Sequence, residues 1–312
     1  MVYDSILEAI GNTPLVRLGR MSEPDAAEVL VKVEGLNVGG SIKTRTACHM
    51  ITEAERRGLL GPDSIIAEPT SGNQGIGLAL VGAVLGYQTV IVMPDSVSEE
   101  RRLLVEQYGA TVYLVADHGD IGDCIERCLE KVRQLAADNP KVYIPQQFTN
   151  EANPAIHRDE TAREILEAVE GPLHGFCSGI GTGGTISGVG EVLRDRFPDI
   201  LIWAIEPDQA AILSGGPIGT HLQMGIGDGL IPHNLNQDIY DEVVTVTDDE
   251  AIATARRLAR EEGLLCGITG GSNVAAALRM ARRLGPGKSV VTILPDTGER
   301  YFSTPLFERH GG

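Results

Sequence analysis

The sequence predicts an α/β protein of two layers, each a mostly parallel sheet covered by helices, and three observations carry that expectation. From residue 65 to residue 137, short segments rich in β-branched residues alternate with helix-length segments, the pattern of a parallel sheet. The alternation pauses and resumes near Gln147, running on to Leu294. The chain also holds 38 glycines in 312 residues, well above a usual share of about 7%, and they gather where strands should pass into helices.

The elements follow in order. Leu15, Val16 and Leu18, then Val29 to Val33, read as short strands entering the fold. A glycine-bearing turn, Asn37-Val38-Gly39-Gly40-Ser41, precedes a helix from Lys43 to about Arg57 that ends at Gly58. Ile65 to Glu68 is a strand, and Ile76 to Leu85 a helix apolar on nearly every face, hence buried. Thr89 to Met93 (strand), Ser98 to Tyr108 (helix), Thr111 to Val115 (strand) and Ile121 to Ala137 (helix) complete the first pass. In the second pass, Pro154 to Val169, Gly183 to Arg196 and Gly271 to Leu284 are helices. Gly175 to Ser178, Leu201 to Ile205, Val243 to Val246 and Val290 to Leu294 are strands. Thr247 and Glu250 form a capping box for a helix ending at Gly263.

Composition excludes several function classes. The formal net charge is −17, which repels phosphate backbones and anionic membranes, so no nucleic-acid or membrane partner is expected. No apolar run is long enough to span a bilayer. The segment Met1 to Ser5 lacks the basic and apolar regions of a signal peptide, so a cytoplasmic location is expected. The five cysteines, Cys48, Cys124, Cys128, Cys177 and Cys266, are scattered and match no metal-site spacing. His157, His174 and His221 have no spacing partner either and read as surface or hydrogen-bonded residues.

Three stretches carry chemistry. Lys43 follows the glycine turn at a helix start, where the helix dipole disfavours its charge; a desolvated, partly neutral lysine suits a Schiff base with an aldehyde cofactor. Gly179 to Thr185 lies between a strand and a helix, and its successive N–H groups make an anion nest for a phosphate. The same loop fits a dinucleotide fingerprint through Gly179, Gly181 and Gly184, with Glu206 placed where a ribose partner belongs. Thr70-Ser71-Gly72-Asn73-Gln74 is a second junction of the same kind, suited to a carboxylate. One phosphate nest, one carboxylate nest and one lysine together describe a site for pyridoxal phosphate and an amino acid.

With these residues in view, the chain resembles the cysteine synthase (O-acetylserine sulfhydrylase) and cystathionine β-synthase family of fold type II pyridoxal phosphate enzymes, whose fold is tryptophan synthase β-like. The matching stretches are Ile10 to Leu15, Gly40 to Lys43, Thr70 to Asn73, Gln146 to Phe148 with Asn153-Pro154, Gly181 to Thr185, Gly225 to Gly227 and Pro295 to Tyr301. The resemblance implies an N-terminal α/β domain over 38–147 bearing the lysine and the carboxylate loop, and a larger one built from 1–37 and 148–312. It makes Lys43 the Schiff-base lysine, Asn73 the partner of the cofactor's phenolic oxygen, and Gly181, Thr182, Gly183, Gly184 and Thr185 the phosphate cup. Thr269 would face the pyridine nitrogen. Thr70, Ser71, Gly72, Asn73, Gln74, Gln147 and Gly227 would meet the substrate, with the carboxylate held by Thr70, Ser71, Asn73 and Gln147.

The activity implied is β-replacement through an aminoacrylate, most simply O-acetylserine plus sulfide giving cysteine and acetate. A homodimer is implied, as is docking of a serine acetyltransferase tail. Four positions depart from the commonest family text: Val38 for proline, Thr44 for aspartate, Gln74 for threonine and Asp228 for a small residue. Asp228 suggests a general base for a nucleophile more demanding than hydrosulfide. Cysteine or phosphoserine as donor, with water, a thiol or an amine as nucleophile, is then the alternative chemistry. A nicotinamide oxidoreductase and a catalytically idle binding protein are the more distant readings.

Overall fold

The computed structural model describes residues 2–70, 72–117 and 121–307. After β1 (Leu15–Arg17) and β2 (Glu28–Val33) come α1 (Lys43–Arg56), β3 (Ile65–Pro69), α2 (Asn73–Leu85), β4 (Gln88–Pro94), α3 (Glu99–Gln107), β5 (Thr111–Val115), α4 (Ile121–Asp138) and β6 (Val142–Tyr143). The second pass holds α5 (Ala152–Ile156), α6 (Ala162–Ala168), β7 (Gly175–Gly179), α7 (Gly184–Arg196), β8 (Leu201–Pro207), β9 (Glu242–Val246), α8 (Asp248–Arg257), α9 (Ile268–Leu284) and β10 (Ser289–Leu294).

The strands make two sheets, β1-β2-β10-β7-β8-β9 and β5-β4-β3-β6. Only the β1–β2 pair is antiparallel among the described pairs. Both faces of each sheet are covered, which is why β2, β8 and β10 are buried almost end to end rather than on alternate residues. One face of the larger sheet packs Val31, Cys177 and Ile205 against α8 and α9, and the other packs Phe176, Ile202 and Val291 against α6 and α7. In the smaller sheet Ile66 and Ile91 pack toward α1 and α2, and Ala67 and Val92 toward Cys124 and Cys128 of α4.

Three differences from the sequence reading bear on the site. Helices α2 and α9 start three residues earlier than expected, at Asn73 and Ile268. Glycines weaken helix propensity in that first turn, but the preceding chain hands it directly into the helix, so Asn73 and Thr269 lie in helical first turns. Strand β6 has only two residues and gives no periodic signal. The helix expected over 154–169 is interrupted by a π-type turn at His157–Thr161, where the Ala162 N–H reaches the His157 carbonyl.

A buried charge cluster fixes the start of α1. Arg45 has no side-chain exposure, and its guanidinium bonds Glu34 at 2.9 Å and Glu164 at 2.7 Å; Lys32 also reaches Glu164. Glu34 follows β2 and Glu164 lies on α6, so the cluster ties α1 to the elements of the larger sheet. Burial opposes the charge of Glu164, but the bonds from Arg45 and Lys32 outweigh it and bring its pKa down to about 2. Arg45→Ala strands Glu34 as a buried, unpaired charge and should lower the unfolding free energy by about 3–5 kcal/mol in urea denaturation. Because the Glu164 pKa is depressed, its contribution is complete above its ordinary 4.5 and is lost as pH falls toward about 2. The urea midpoint should drop through that window in the wild type and less in Glu164→Gln.

Candidate active site

The carboxyl ends of β3, β7 and β10 and the first turns of α1, α2, α7 and α9 meet at one cleft, lined among others by Lys43, Asn73, Gly181, Thr182, Thr185, Met224, Thr269, Asn273 and Asp296. None of these four helices has a side-chain cap at its N-terminus. By contrast, at α8 the Thr247 hydroxyl accepts the Glu250 N–H at 3.2 Å. The N-termini of α1, α2, α7 and α9 point positive dipole ends at the cleft, so the site favours anions.

The loop before α7 is shaped by what its residues lack. A Cβ on Gly181 would lie 2.2 Å from the Gly225 carbonyl oxygen, and Gly183 caps the helix at φ +77°. Thr182 Oγ1 accepts from Asn153 Nδ2 at 2.9 Å, and Thr185 Oγ1 lies 3.3 Å from His157 Nε2. This cradle of N–H groups and hydroxyls fits a phosphate monoester. His157 is therefore buried and hydrogen-bonded rather than at the surface, and burial, then the nearby Lys43 and Arg45 charges, push its pKa well down.

At the second junction Asn73 Nδ2 donates to Asp296 Oδ2 at 2.7 Å, and its Oδ1 accepts from Arg300. Tyr301 donates to the same Asp296 oxygen at 2.7 Å, while Asp296 Oδ1 is buried without a partner. Thr70 Oγ1 accepts the Gly72 N–H at 3.3 Å, and space beside Gly72 is open. Gln74 turns the other way: its Oε1 accepts from Thr46 at 2.7 Å and its Nε2 faces Met50, so its side chain fills the α1–α2 interface. Ser71 lies outside the described residues. Gln147 is buried, its carbonyl held by the Asn153 that also bonds Thr182, and Thr269 Oγ1 bonds the Met224 carbonyl at 3.0 Å.

Lys43 and Asp228 share the cleft. Burial lowers the Lys43 pKa, and the Asp228 charge opposes that; burial raises the Asp228 pKa, and Lys43 and His221 oppose that. Asp228 is exposed as a residue, and its Oδ2 lies 3.7 Å from where a Cβ on Gly181 would stand. Its loop turns through positive φ at Gly225, Gly227 and Gly229. It is tied to the phosphate cradle by the Gly227 N–H on the Ile180 carbonyl at 3.0 Å.

Residues 6–296 match the model of the pyridoxal-phosphate dependent enzyme family. The chain belongs to that family. It is 48% identical to a probable cysteine synthase of Bacillus subtilis over 303 residues, 96% of each chain. Among solved structures it resembles an O-ureido-L-serine synthase, with TM-score 0.94 and 42% identity over 100% of this chain and 97% of that one. It also resembles a hydrogen sulfide-producing enzyme of Fusobacterium nucleatum, with TM-score 0.91 and 39% identity over 96% and 98%. Its cofactor is pyridoxal 5′-phosphate, and its chemistry is β-replacement on an amino acid.

The dinucleotide reading falls with the family and with Glu206. That carboxylate is buried and spent on Leu213 N–H, Ser214 N–H and the Ser214 hydroxyl, so it holds a surface loop and no ribose. Sequence reasoning gave no role to Asn153, Asp296 or Arg300, although each lies in a family stretch. Their contacts cross 29 to 227 positions of chain, and no local pattern reports such pairs. Among the described residues no cluster of metal-ligating side chains occurs, and no helix is long and apolar enough to cross a membrane. Gly181→Ala should drive a methyl group into the Gly225 carbonyl, and its affinity for pyridoxal phosphate, read by absorbance titration of apoenzyme, should fall at least about tenfold while the fold persists.

Proposed function

We propose that the chain converts a β-substituted alanine, with O-acetylserine the simplest donor, into cysteine using sulfide, and that Lys43 and Asp228 divide the proton transfers. Lys43 is the amine that carries the cofactor. The loop from Gly181 to Thr185 would hold the phosphate, Asn73 the phenolic oxygen, and the Thr269 hydroxyl the ring nitrogen. Thr70, Ser71, Gly72, Asn73 and Gln147 would hold the substrate carboxylate, with Gln74 contributing through its backbone and Gly227 closing the far wall. When bound, the cofactor supplies an electron sink that lets the Cα proton and the β-substituent leave.

The chain's own groups do the rest. Burial disfavours the charged form of Lys43, and its neutral amine can take the Cα proton and later return it. Uncapped helix ends neutralise the two anionic groups of cofactor and substrate. The walls from 38–147 and from the rest of the chain close around the reactants and exclude water.

One observation favours a second reading within the same chemistry. A carboxylate at Asp228 repels an incoming anion such as hydrosulfide but can accept a proton from a neutral nucleophile. Under that reading cysteine or phosphoserine serves as donor, and a thiol, an amine or water as acceptor. The names of the two structural neighbours, an O-ureido-L-serine synthase and a hydrogen sulfide producer, support such variety in donor and nucleophile. A homodimer is the proposed working unit, supported by exposed Tyr113 and Leu114 on the edge strand β5.

The test offers O-acetylserine, phosphoserine and cysteine in turn with sulfide, a thiol, an amine and water, and identifies products by mass. Lys43→Ala should abolish turnover with every pair. Asp228→Asn should change sulfide turnover less than about threefold if hydrosulfide is the nucleophile, and should cut turnover with a protonated nucleophile by about 10²–10⁴ if Asp228 is the base.

A further inference from the structure

Glu68 lies on β3, two residues before Thr70, and is 1% exposed. Its two oxygens each accept one backbone N–H, Oε2 from Gln146 and Oε1 from Gln147, both at 2.9 Å. Gln146 sits at φ +59°, a conformation that side chains rarely adopt. On the opposite side the Gln147 carbonyl accepts Nδ2 of Asn153 and Nδ2 of Asn234, each at 2.8 Å. The same Asn153 Nδ2 bonds Thr182 in the phosphate cradle. Gln147 is thus gripped at both ends of its backbone, by a strand beneath the carboxylate loop and by the residue that supports the cradle.

We propose that Glu68 is a positioning residue for the amino-acid substrate: ionised, it holds both amides and sets the Gln147 side chain toward the substrate carboxylate; protonated, it releases one amide and binding weakens. The inference rests on Gln147 being a substrate contact. Burial raises the Glu68 pKa to about 7, although both N–H donors pull it the other way.

The titratable neighbours of Glu68 come from β6 and α1. From β6, Tyr143 faces Glu68, and its phenol is raised by burial and then by the Glu68 charge, with Arg57 opposing. Helix α2, β4 and residues 146–150 carry no titratable side chain, whereas α1, packed with α2 on the face of β3 that bears Ile66, carries Lys43, Arg45, His49, Glu53, Glu55 and Arg56. The thiols of Cys124 and Cys128 pack on the opposite face of β3, with Ala67. The sign for stability is opposite to that for binding. An acid raised by burial stabilises the fold fully below its ordinary 4.5 and ceases to do so as pH rises through about 7.

The test titrates holoenzyme with L-alanine, which has no β-leaving group, and follows the cofactor's visible absorption. Loss of one bond to a charged acceptor weakens binding by about tenfold. The Kd ratio of Glu68→Gln to wild type should therefore be about tenfold near pH 8 and about one near pH 6. Taking the ratio cancels the titration of the substrate's own amine, and repeating it in an Asp228→Asn background removes that carboxylate as the source. A ratio near one at both pH values overturns the inference, as does a tenfold ratio that persists in acid. If Glu68→Gln fails to fold, Gln147→Ala carries the test: its Kd ratio to wild type should shrink from at least about tenfold near pH 8 to about one near pH 6, and a pH-independent ratio above one overturns the inference alone. A Gln147→Ala protein that binds L-alanine like wild type overturns the reading of Gln147 as well.

Discussion

Everything in the cleft depends on holding the first turn of α1 still, and the buried contact between Arg45 and the carboxylates of Glu34 and Glu164 does this. Lys43 is two residues from Arg45, so its amine is aimed by a guanidinium that cannot move without stranding a charge in the interior. Two acids on one guanidinium raise the Arg45 pKa, although burial alone would lower it. The cluster is a poor device for stability alone, since apolar packing of the same volume serves that as well. Its use here is geometric, because it locks a helix packed on one sheet to elements of the other.

The same economy governs the ligand-facing surfaces. Where α1, α2, α7 and α9 begin, no N-cap side chain accepts a first-turn N–H, whereas at α8 Thr247 does. The positive ends of those four helices favour anions at the cleft. Glycine makes the close approach feasible: Gly181 lies against the Gly225 carbonyl, bringing the Asp228 loop next to the phosphate cradle. The cleft thereby joins two anion sites, an amine whose charge burial disfavours, and a carboxylate whose charge burial also disfavours. Lys43 and Asp228 restore part of each other's charge, so the protonation state of one depends on the other.

Hydrogen bonds behind the cleft connect its parts. Asn153 bridges Thr182 and the Gln147 carbonyl, and Asn73 bridges Asp296 and Arg300. These groups come from different layers and would separate if either layer moved as a body, so they register the fit between the layers at the point where reactants lie. His221 does similar work for the Asp228 loop. Its Nδ1 accepts the Gln223 N–H, and its Nε2 lies 3.1 Å from the Gly227 carbonyl.

The sequence by itself determined the α/β class, the alternation of strands and helices, the glycine junctions, and the lysine, because each is a local pattern of periodicity, branching or backbone freedom. It also determined the family, since the spaced motifs lie in one order along the chain. Tertiary structure alone decided which way Gln74 turns, what Glu206 holds, why His157 is neutral and how Glu68 grips Gln147. Those outcomes depend on burial and on partners far apart in the chain, such as Glu68 and Gln147, 79 residues apart, and burial sets protonation. A residue's charge and direction in a cleft are properties of the packed molecule, whereas the propensity to form a strand or a turn is already present in a few consecutive residues.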